Sequence, residues 1–145
     1  MNKFSNTVLA LSGLALFYVC TMRLIDPSAA SFLKTYFADS SNVLTIEMAS
    51  EIRGIGAGMV LTGIVAFLGI FIPRLKVTAF VVLSVLFVGI VLGRAVSSIV
   101  DGVPDESLFM PVTHETILAV VNVFCLAYIL ITEQKSQGDR SVPAS

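Results

Sequence analysis

The sequence predicts an all-α membrane protein that is a bundle of four transmembrane helices. Hydrophobic residues make up 56 % of the 145 residues and charged residues 13 %, against about 25 % charged in soluble domains. The apolar residues form four long runs, and a hydrocarbon core about 30 Å thick needs about 20 helical residues. No segments of alternating hydrophobicity suggest a closed barrel, so helices must satisfy the backbone in lipid.

Each predicted helix is bounded by residues that commonly end helices. Asp26-Pro27 closes the first apolar run, Pro73 the second and Asp101-Gly102 the third, while the fourth ends where the sequence turns polar after Thr132. The predicted helices are about 4–25, 48–72, 77–99 and 112–132, within one domain of residues 1–132. The polar, proline-containing segment 133–145 is predicted to be a disordered cytoplasmic tail.

The first loop is longer than a plain turn. Residues 28–38 place aromatic and apolar side chains at helical spacing. This pattern fits a short amphipathic helix on the outer surface, and it fits equally a loop whose aromatic residues pack on the bundle.

The distribution of basic residues predicts the orientation in the membrane. Turn 73–76 carries two positive charges, and Lys3, Lys135 and Arg140 add others near the two termini, whereas loop 101–111 carries three acids and no Lys or Arg. The positive-inside rule therefore places both termini in the cytoplasm, and a bacterial inner membrane is the simplest location. Membrane lipids are the expected partners, and the net charge of −1 gives no expectation of nucleic-acid binding.

Ionisable residues gather at the ends of the helices that this topology places outside. They are Arg23, Glu51, Arg53, Arg94, Asp101, His114 and Glu115. A charged side chain in mid-membrane costs roughly 2.5–3.5 kcal/mol on insertion scales, so several at one depth predict a site or a pinned helix junction. The spacing of seven puts Arg94 and Asp101 on one face of helix 3, and Glu115 and Asn122 on one face of helix 4. Asn122 then extends a polar strip about two turns deeper.

Two glycine pairs suggest how the helices meet. Gly54 and Gly58 in helix 2, and Gly89 and Gly93 in helix 3, have the GxxxG spacing that lets helices approach closely in lipid. Glu51 lies on the same stripe as the first pair, so we expect it to face a neighbouring helix. The second pair fits two helices of one subunit and two subunits equally, which leaves open a homo-oligomer or a partner membrane protein.

Several of these residues together carry a resemblance to a known family. They are Glu51-Ile52-Arg53 with Gly58, Gly93-Arg94-Ala95-Val96-Ser97, Asp101-Gly102 and Glu115. The pattern resembles that of small bacterial four-helix membrane proteins catalogued as domain of unknown function 4345, over most of the chain. The resemblance implies the four-helix fold and the same polar cluster, and it implies no activity.

The function that we favour is binding of an anionic lipid head group or small acid at the outer end, alone or as an accessory subunit. Arginine suits phosphate and carboxylate because its planar fork donates two parallel hydrogen bonds. Arg53 and Arg94 are expected to contact the anion, and Glu51 and Glu115 to orient them. Asn122 and Tyr18 are expected to line the deeper wall. Asp101 completes the predicted ligand-binding set.

Other functions stay open on the sequence. Glu51, Asp101 or Glu115 could act as the acid or base of a membrane-embedded enzyme. Equal numbers of arginines and carboxylates also fit a cluster that only fixes helix packing. Ion-coupled transport would require an oligomer or a partner. The sequence has neither His-Glu-x-x-His nor Cys-x-x-Cys spacing, so we expect no metal and no cofactor.

Overall fold

The computed structural model describes residues 2–29, 44–102 and 109–140, and over these ranges it contains helices and no strand. The four long helices are α1 (Asn2–Ile25), α2 (Ile46–Phe71), α3 (Lys76–Val100) and α4 (Phe109–Arg140). Short 3-10 turns follow α1 and join α2 to α3, at Pro27–Ala29 and Pro73–Leu75. The predicted all-α, four-helix fold is confirmed.

Local hydrogen bonds explain where the helices begin and end. The Thr45 hydroxyl accepts a hydrogen bond from the Met48 amide at 3.2 Å and so caps the first turn of α2. At the end of α1, the Asp26 carboxylate accepts from the Ser28 amide at 3.0 Å. Beyond α3, Gly102 has a φ of +100°, a left-handed conformation that glycine adopts without steric cost.

The end of α4 differs from the sequence prediction. Helical backbone continues to Arg140, through residues 133–140, for which the sequence predicts disorder. Glu133, Gln134 and Lys135 are good helix formers, so loss of hydropathy after Thr132 indicates the end of the apolar span rather than of the helix. Residues 141–145 of the predicted tail lie outside the described residues, as does most of the predicted surface helix at 28–38.

The bundle consists of two helix pairs. α1 packs chiefly on α2 and α3 on α4, and α2 also contacts α3, whereas α1 and α4 contact each other much less. Buried side chains at the centre come from α1 (Leu9) and α3 (Phe80 and Leu83). The thin contact between α1 and α4 leaves room for a cavity along that side of the bundle.

Glycines bring α1 and α2 together, but not the ones that the sequence singles out. A Cβ at Gly63 would lie 3.1 Å from the Gly13 carbonyl oxygen, whereas one at Gly54 or Gly58 would have no neighbour within 4 Å. Glu51 is exposed, so the expectation that it faces a neighbouring helix is wrong within this chain. Sequence spacing shows which residues share a face and not which face turns inward.

The second glycine pair also lies on an open face. A Cβ at Gly89 or Gly93 of α3 would meet nothing within 4 Å. These glycines therefore do not join two helices of one chain in the part that the structure describes. The close approach of α2 to α3 instead uses Gly69, beside Ala79.

The surface of the bundle is apolar along the four helices. Long apolar spans cover Lys3–Ile25, Ile46–Phe71, Pro73–Val100 and Phe109–Thr132, each long enough to cross a membrane. Large hydrophobic side chains such as Phe71, Val85 and Ile99 are mostly exposed along them. A contiguous apolar surface of this kind requires lipid around it, so the protein is an integral membrane protein.

We expect Gly69→Ala to lower the stability of the bundle. The new Cβ would lie 2.8 Å from the Cβ of Ala79, and such overpacking costs about 1–3 kcal/mol. The matched control is Gly58→Ala in the same helix, where the Cβ is unopposed and the helix propensity improves by up to about 1 kcal/mol. The thermal midpoint in detergent is the measurement, and equal midpoints for both variants would contradict the α2–α3 packing.

Candidate ligand site at the charged end of the bundle

The predicted site residues lie mainly at one end of the bundle. α1 and α3 end there and α2 and α4 begin there, so side chains far apart in sequence reach the same level. We call this the charged end. The charged residues at this end differ in their hydrogen-bond partners and in their exposure to solvent.

Arg94 and Glu115 form a bidentate ion pair at the charged end. Arg94 donates from Nε to Glu115 Oε2 and from Nη2 to Glu115 Oε1, the second at 2.9 Å. The side chains are only 29 % and 19 % exposed, so water screens the pair weakly. This bidentate contact joins α3 to α4, and Arg94 Nη1 remains outside it.

Arg53 and Glu51 lie on α2 and are both exposed. Arg53 donates from Nε to the Leu24 carbonyl oxygen at 3.2 Å, so it contacts the last turn of α1, where unpaired carbonyls attract cations. Glu51 forms no ion pair with any residue that the structure describes. The predicted roles of Arg53 in anion contact and of Glu51 in orienting it stay predictions.

Asp101 completes the end of α3. Its carboxylate accepts a hydrogen bond from the Ser97 hydroxyl at 2.8 Å, and its amide donates to the Ser97 carbonyl at 2.7 Å. Both contacts are local, and the residue is exposed. The three carboxylates of the enzyme hypothesis therefore do not form one cluster. Asp101 is bound by Ser97, Glu115 is bound by Arg94, and Glu51 lies on α2.

Asn122 lies deeper and is fully buried. Its Nδ2 donates to the Ser12 hydroxyl at 2.9 Å and to the Leu118 carbonyl at 2.8 Å, while its Oδ1 accepts no hydrogen bond. The contact with Ser12 joins α4 to α1 below the charged end. Asn122 thus forms a hydrogen-bonded link between α4 and α1 in this structure, and its predicted role in lining a deeper wall stays a prediction.

A cavity of about 630 Å³ opens between α1 and α4 at the charged end. Its walls are mostly apolar, with Leu16 from α1, Phe87 and Ile90 from α3, and Leu118 from α4. The volume falls within the range of about 300–1,000 Å³ that is usual for small-molecule sites.

Polar side chains line the part of this cavity nearest the charged end. Arg23 comes from the last turn of α1, and His114 and Glu115 come from the start of α4. Arg23 Nη1 lies 3.9 Å from the Met59 sulfur, and His114 Nδ1 donates to the Met110 carbonyl at 2.7 Å. Glu115 therefore belongs both to the cavity wall and to the ion pair with Arg94.

The sequence prediction of the ligand set lacked Arg23 and included residues that do not line this cavity. Arg53, Arg94, Glu51, Asp101 and Asn122 lie outside the lining, and Glu115 lies in it. Arg23 was among the ionisable residues at the predicted outer end, and its position in the last turn of α1 was the available signal. Only the packing shows that α1 and α4 separate there.

The arrangement suits an anion attached to an apolar body. A guanidinium in a mostly apolar wall, shielded from water, attracts negative charge more strongly than one in water. Within the described ranges, no group of three or more His, Cys, Asp and Glu side chains could hold a metal ion. The cavity thus combines charged and apolar lining groups.

A family comparison matches residues 4–126 to a model described as domain of unknown function (DUF4345). The chain belongs to this family. The match includes α1 to α3 and most of α4, so it covers the cavity and the ion pair of this DUF4345 protein. No curated protein and no solved structure matches the chain.

We expect Arg94 and Glu115 to be energetically coupled. Arg94→Gln or Glu115→Gln leaves the other charge without its bidentate partner, at about 1–3 kcal/mol each. A double-mutant cycle by SDS titration in mixed micelles should give a coupling of about 0.5–3 kcal/mol. Ser97 and Asp101, an exposed contact on one helix, are the control pair and should couple less. Additive effects of the first two substitutions would show that the pair contributes nothing to stability.

Asn122→Leu is expected to lower the stability of the bundle modestly, by about 0.5–1.5 kcal/mol. Leucine has a similar size, but it removes the hydrogen bond to Ser12 that joins α4 to α1, and loss of the unpartnered Oδ1 offsets only part of this cost. Asn122→Asp, of nearly identical shape, puts a carboxyl in the same place and should cost several kcal/mol. The thermal midpoints of both variants test this. Strong destabilisation by leucine would mean that Oδ1 has a water or ligand partner in the membrane.

Proposed function

We propose that this DUF4345 protein is a non-enzymatic binding protein for an anionic group, either a lipid head group or a small organic acid, at the charged end. The observation that carries the proposal is the cavity between α1 and α4, whose apolar walls lead to Arg23, His114 and Glu115. Charged and apolar surfaces in one concave site are typical of sites for amphiphilic or acidic ligands.

The electrostatics favour an anion over a cation. Arg23 lines the cavity, and the Glu115 carboxylate is already held by two donors of Arg94. An entering cation would therefore meet the Arg23 guanidinium and a carboxylate that already has a cationic partner. A guanidinium has five N–H donors, so Arg23 can donate to an anion in addition to its contacts within the protein, in a setting where ion pairs are weakly screened.

The predicted ligand residues take different parts in this proposal. Glu115 holds Arg94 beside the cavity, and the remaining Nη1 donors of Arg94 supply a second cationic contact for a bulky anion. Arg53 fixes the end of α1 through the Leu24 carbonyl and so sets the position of Arg23. Asp101 and Asn122 stabilise α3 and the α1–α4 contact from outside the cavity, and Glu51 has no assigned part.

We infer that the charged end faces away from the cytoplasm of a bacterial inner membrane. Basic residues Arg74 and Lys76 lie at the opposite end, in the tight turn between α2 and α3, and Lys3 lies near the start of α1 at that same end. The positive-inside rule supports placing this end in the cytoplasm. The proposed ligand then comes from the outer leaflet or the space beyond it.

A structural role is the second candidate, and the Arg94–Glu115 pair favours it. A bidentate contact between α3 and α4 can fix the rotation of two helices without any ligand. The two functions differ in what they require of Arg23, because this residue lines the cavity and is not part of that pair. A ligand-binding protein loses its ligand when Arg23 is neutralised.

The test is native mass spectrometry of protein extracted gently from membranes. Wild type, Arg23→Gln and Arg94→Gln are compared with the control Arg74→Gln, which neutralises an exposed arginine at the opposite end. We expect a discrete adduct in wild type and the control that falls about tenfold in Arg23→Gln, the effect of losing one charge-assisted contact of about 1.4 kcal/mol. Arg94→Gln should weaken it less.

Thermal midpoints of the same samples show whether each variant is folded. An adduct that survives both arginine substitutions in folded protein would refute anion binding at the cavity. Folded wild type without any discrete adduct would favour the structural role. The mass of an adduct also separates the two sources, since a lipid and a small acid differ widely in mass.

A further inference from the structure

The cavity opens sideways, toward the surroundings of the bundle. Four of its lining residues are among the exposed hydrophobic side chains, Tyr18 and Val19 on α1 and Met110 and Ile117 on α4. Leu16 and Phe87, which line it too, are buried in the core. The cavity therefore runs from the flank of the bundle, between α1 and α4, to the centre.

This opening lies within membrane-spanning segments. Tyr18 and Val19 belong to the span Lys3–Ile25, and Met110 and Ile117 belong to the span Phe109–Thr132. Lipid chains surround a bundle at such depths. The apolar part of a cavity that is open to lipid is filled most readily by a hydrocarbon chain, since water there would lack hydrogen-bond partners.

We propose that the ligand is an anionic amphiphile that places one hydrocarbon tail in the cavity, entering sideways between α1 and α4. This inference rests on the proposed function and selects a lipid over a small water-soluble acid. The head group lies at Arg23, one turn above the level of Val19, and the tail extends along Leu16, Phe87 and Ile90. The cavity volume of about 630 Å³ is that of a small-molecule site and suits a single hydrocarbon tail.

The head group rather than the tail decides selectivity. A tail that leaves the bilayer for this cavity gains no hydrophobic energy, because lipid chains are as apolar as the leucine and isoleucine side chains of its walls. The contact between the anion and Arg23 supplies the preference over a neutral lipid of the same length. The walls then define how deep the tail lies.

The chain has no tryptophan, so a single introduced tryptophan reports the location of a brominated tail. Phe87→Trp places it in the cavity wall, and Ile90→Trp is a second reporter if the first variant does not fold. The matched control on the same helix is Val85→Trp, because Val85 is 69 % exposed and lies outside the cavity lining. The probe is dibromostearate, added to each variant in phosphatidylcholine vesicles at a pH that ionises the carboxylate.

We expect saturable quenching of the cavity reporters and only gradual, unsaturable quenching of Val85→Trp. Stearate should reverse the saturable quenching at about fivefold lower concentration than methyl stearate, which has the same tail but no charge. A large excess of acetate should leave the quenching unchanged.

Cavity reporters that behave like Val85→Trp would overturn the inference, because the tail would then be outside. If the arginine-dependent adduct is still present by mass spectrometry, the proposed anion binding stands and only the tail placement is wrong; if that adduct is absent as well, both are wrong. Equal competition by stearate and methyl stearate would overturn the anionic selectivity. Reversal by acetate would instead identify a small acid as the ligand.

Discussion

Helices in lipid gain almost nothing from burying apolar side chains against each other, since the lipid tails are equally apolar. The fold therefore depends on close backbone approach and on the few polar contacts between helices. Gly13 and Gly63 bring α1 to α2, and Asn122 joins α4 to α1 through Ser12. The Arg94–Glu115 pair joins α3 to α4. Where neither kind of contact is present, as between the parts of α1 and α4 near the charged end, the helices separate and leave a cavity.

Hydropathy and helix-ending residues predict this fold well because length and apolarity are properties of each segment by itself. Pro73 and Asp101-Gly102 lie within a residue or two of the helix ends that the structure gives. The rotation of each helix about its axis depends on the neighbouring helices, and the predicted rotation of α2 was wrong. Gly54 and Gly58 match the GxxxG spacing, yet Gly56 and Gly63 face α1, because a glycine-rich run offers small residues on more than one face.

In the candidate site, too, the sequence predicts the depth of a residue but not the direction in which it faces. The depth of a charged residue follows from its distance to a helix end, so the sequence identifies the level at which Arg94 and Glu115 meet. Which charges face a cavity depends on where helices part, and this places Arg23 in the wall and Arg53 outside it. Arg53 and Arg23 are nevertheless linked, since Arg53 contacts the final turn of α1, from which Arg23 projects.

The distribution of charge at the charged end separates a stabilising role from a binding role. Arg94 and Glu115 form a bidentate pair that fixes α3 against α4 and needs no ligand. Arg23 lies in the wall of a mostly apolar cavity of about 630 Å³, beside the thioether of Met59. The proposed anionic amphiphile would contact Arg23 with its head group and fill the apolar space with its tail, so one ligand fits both features of the cavity.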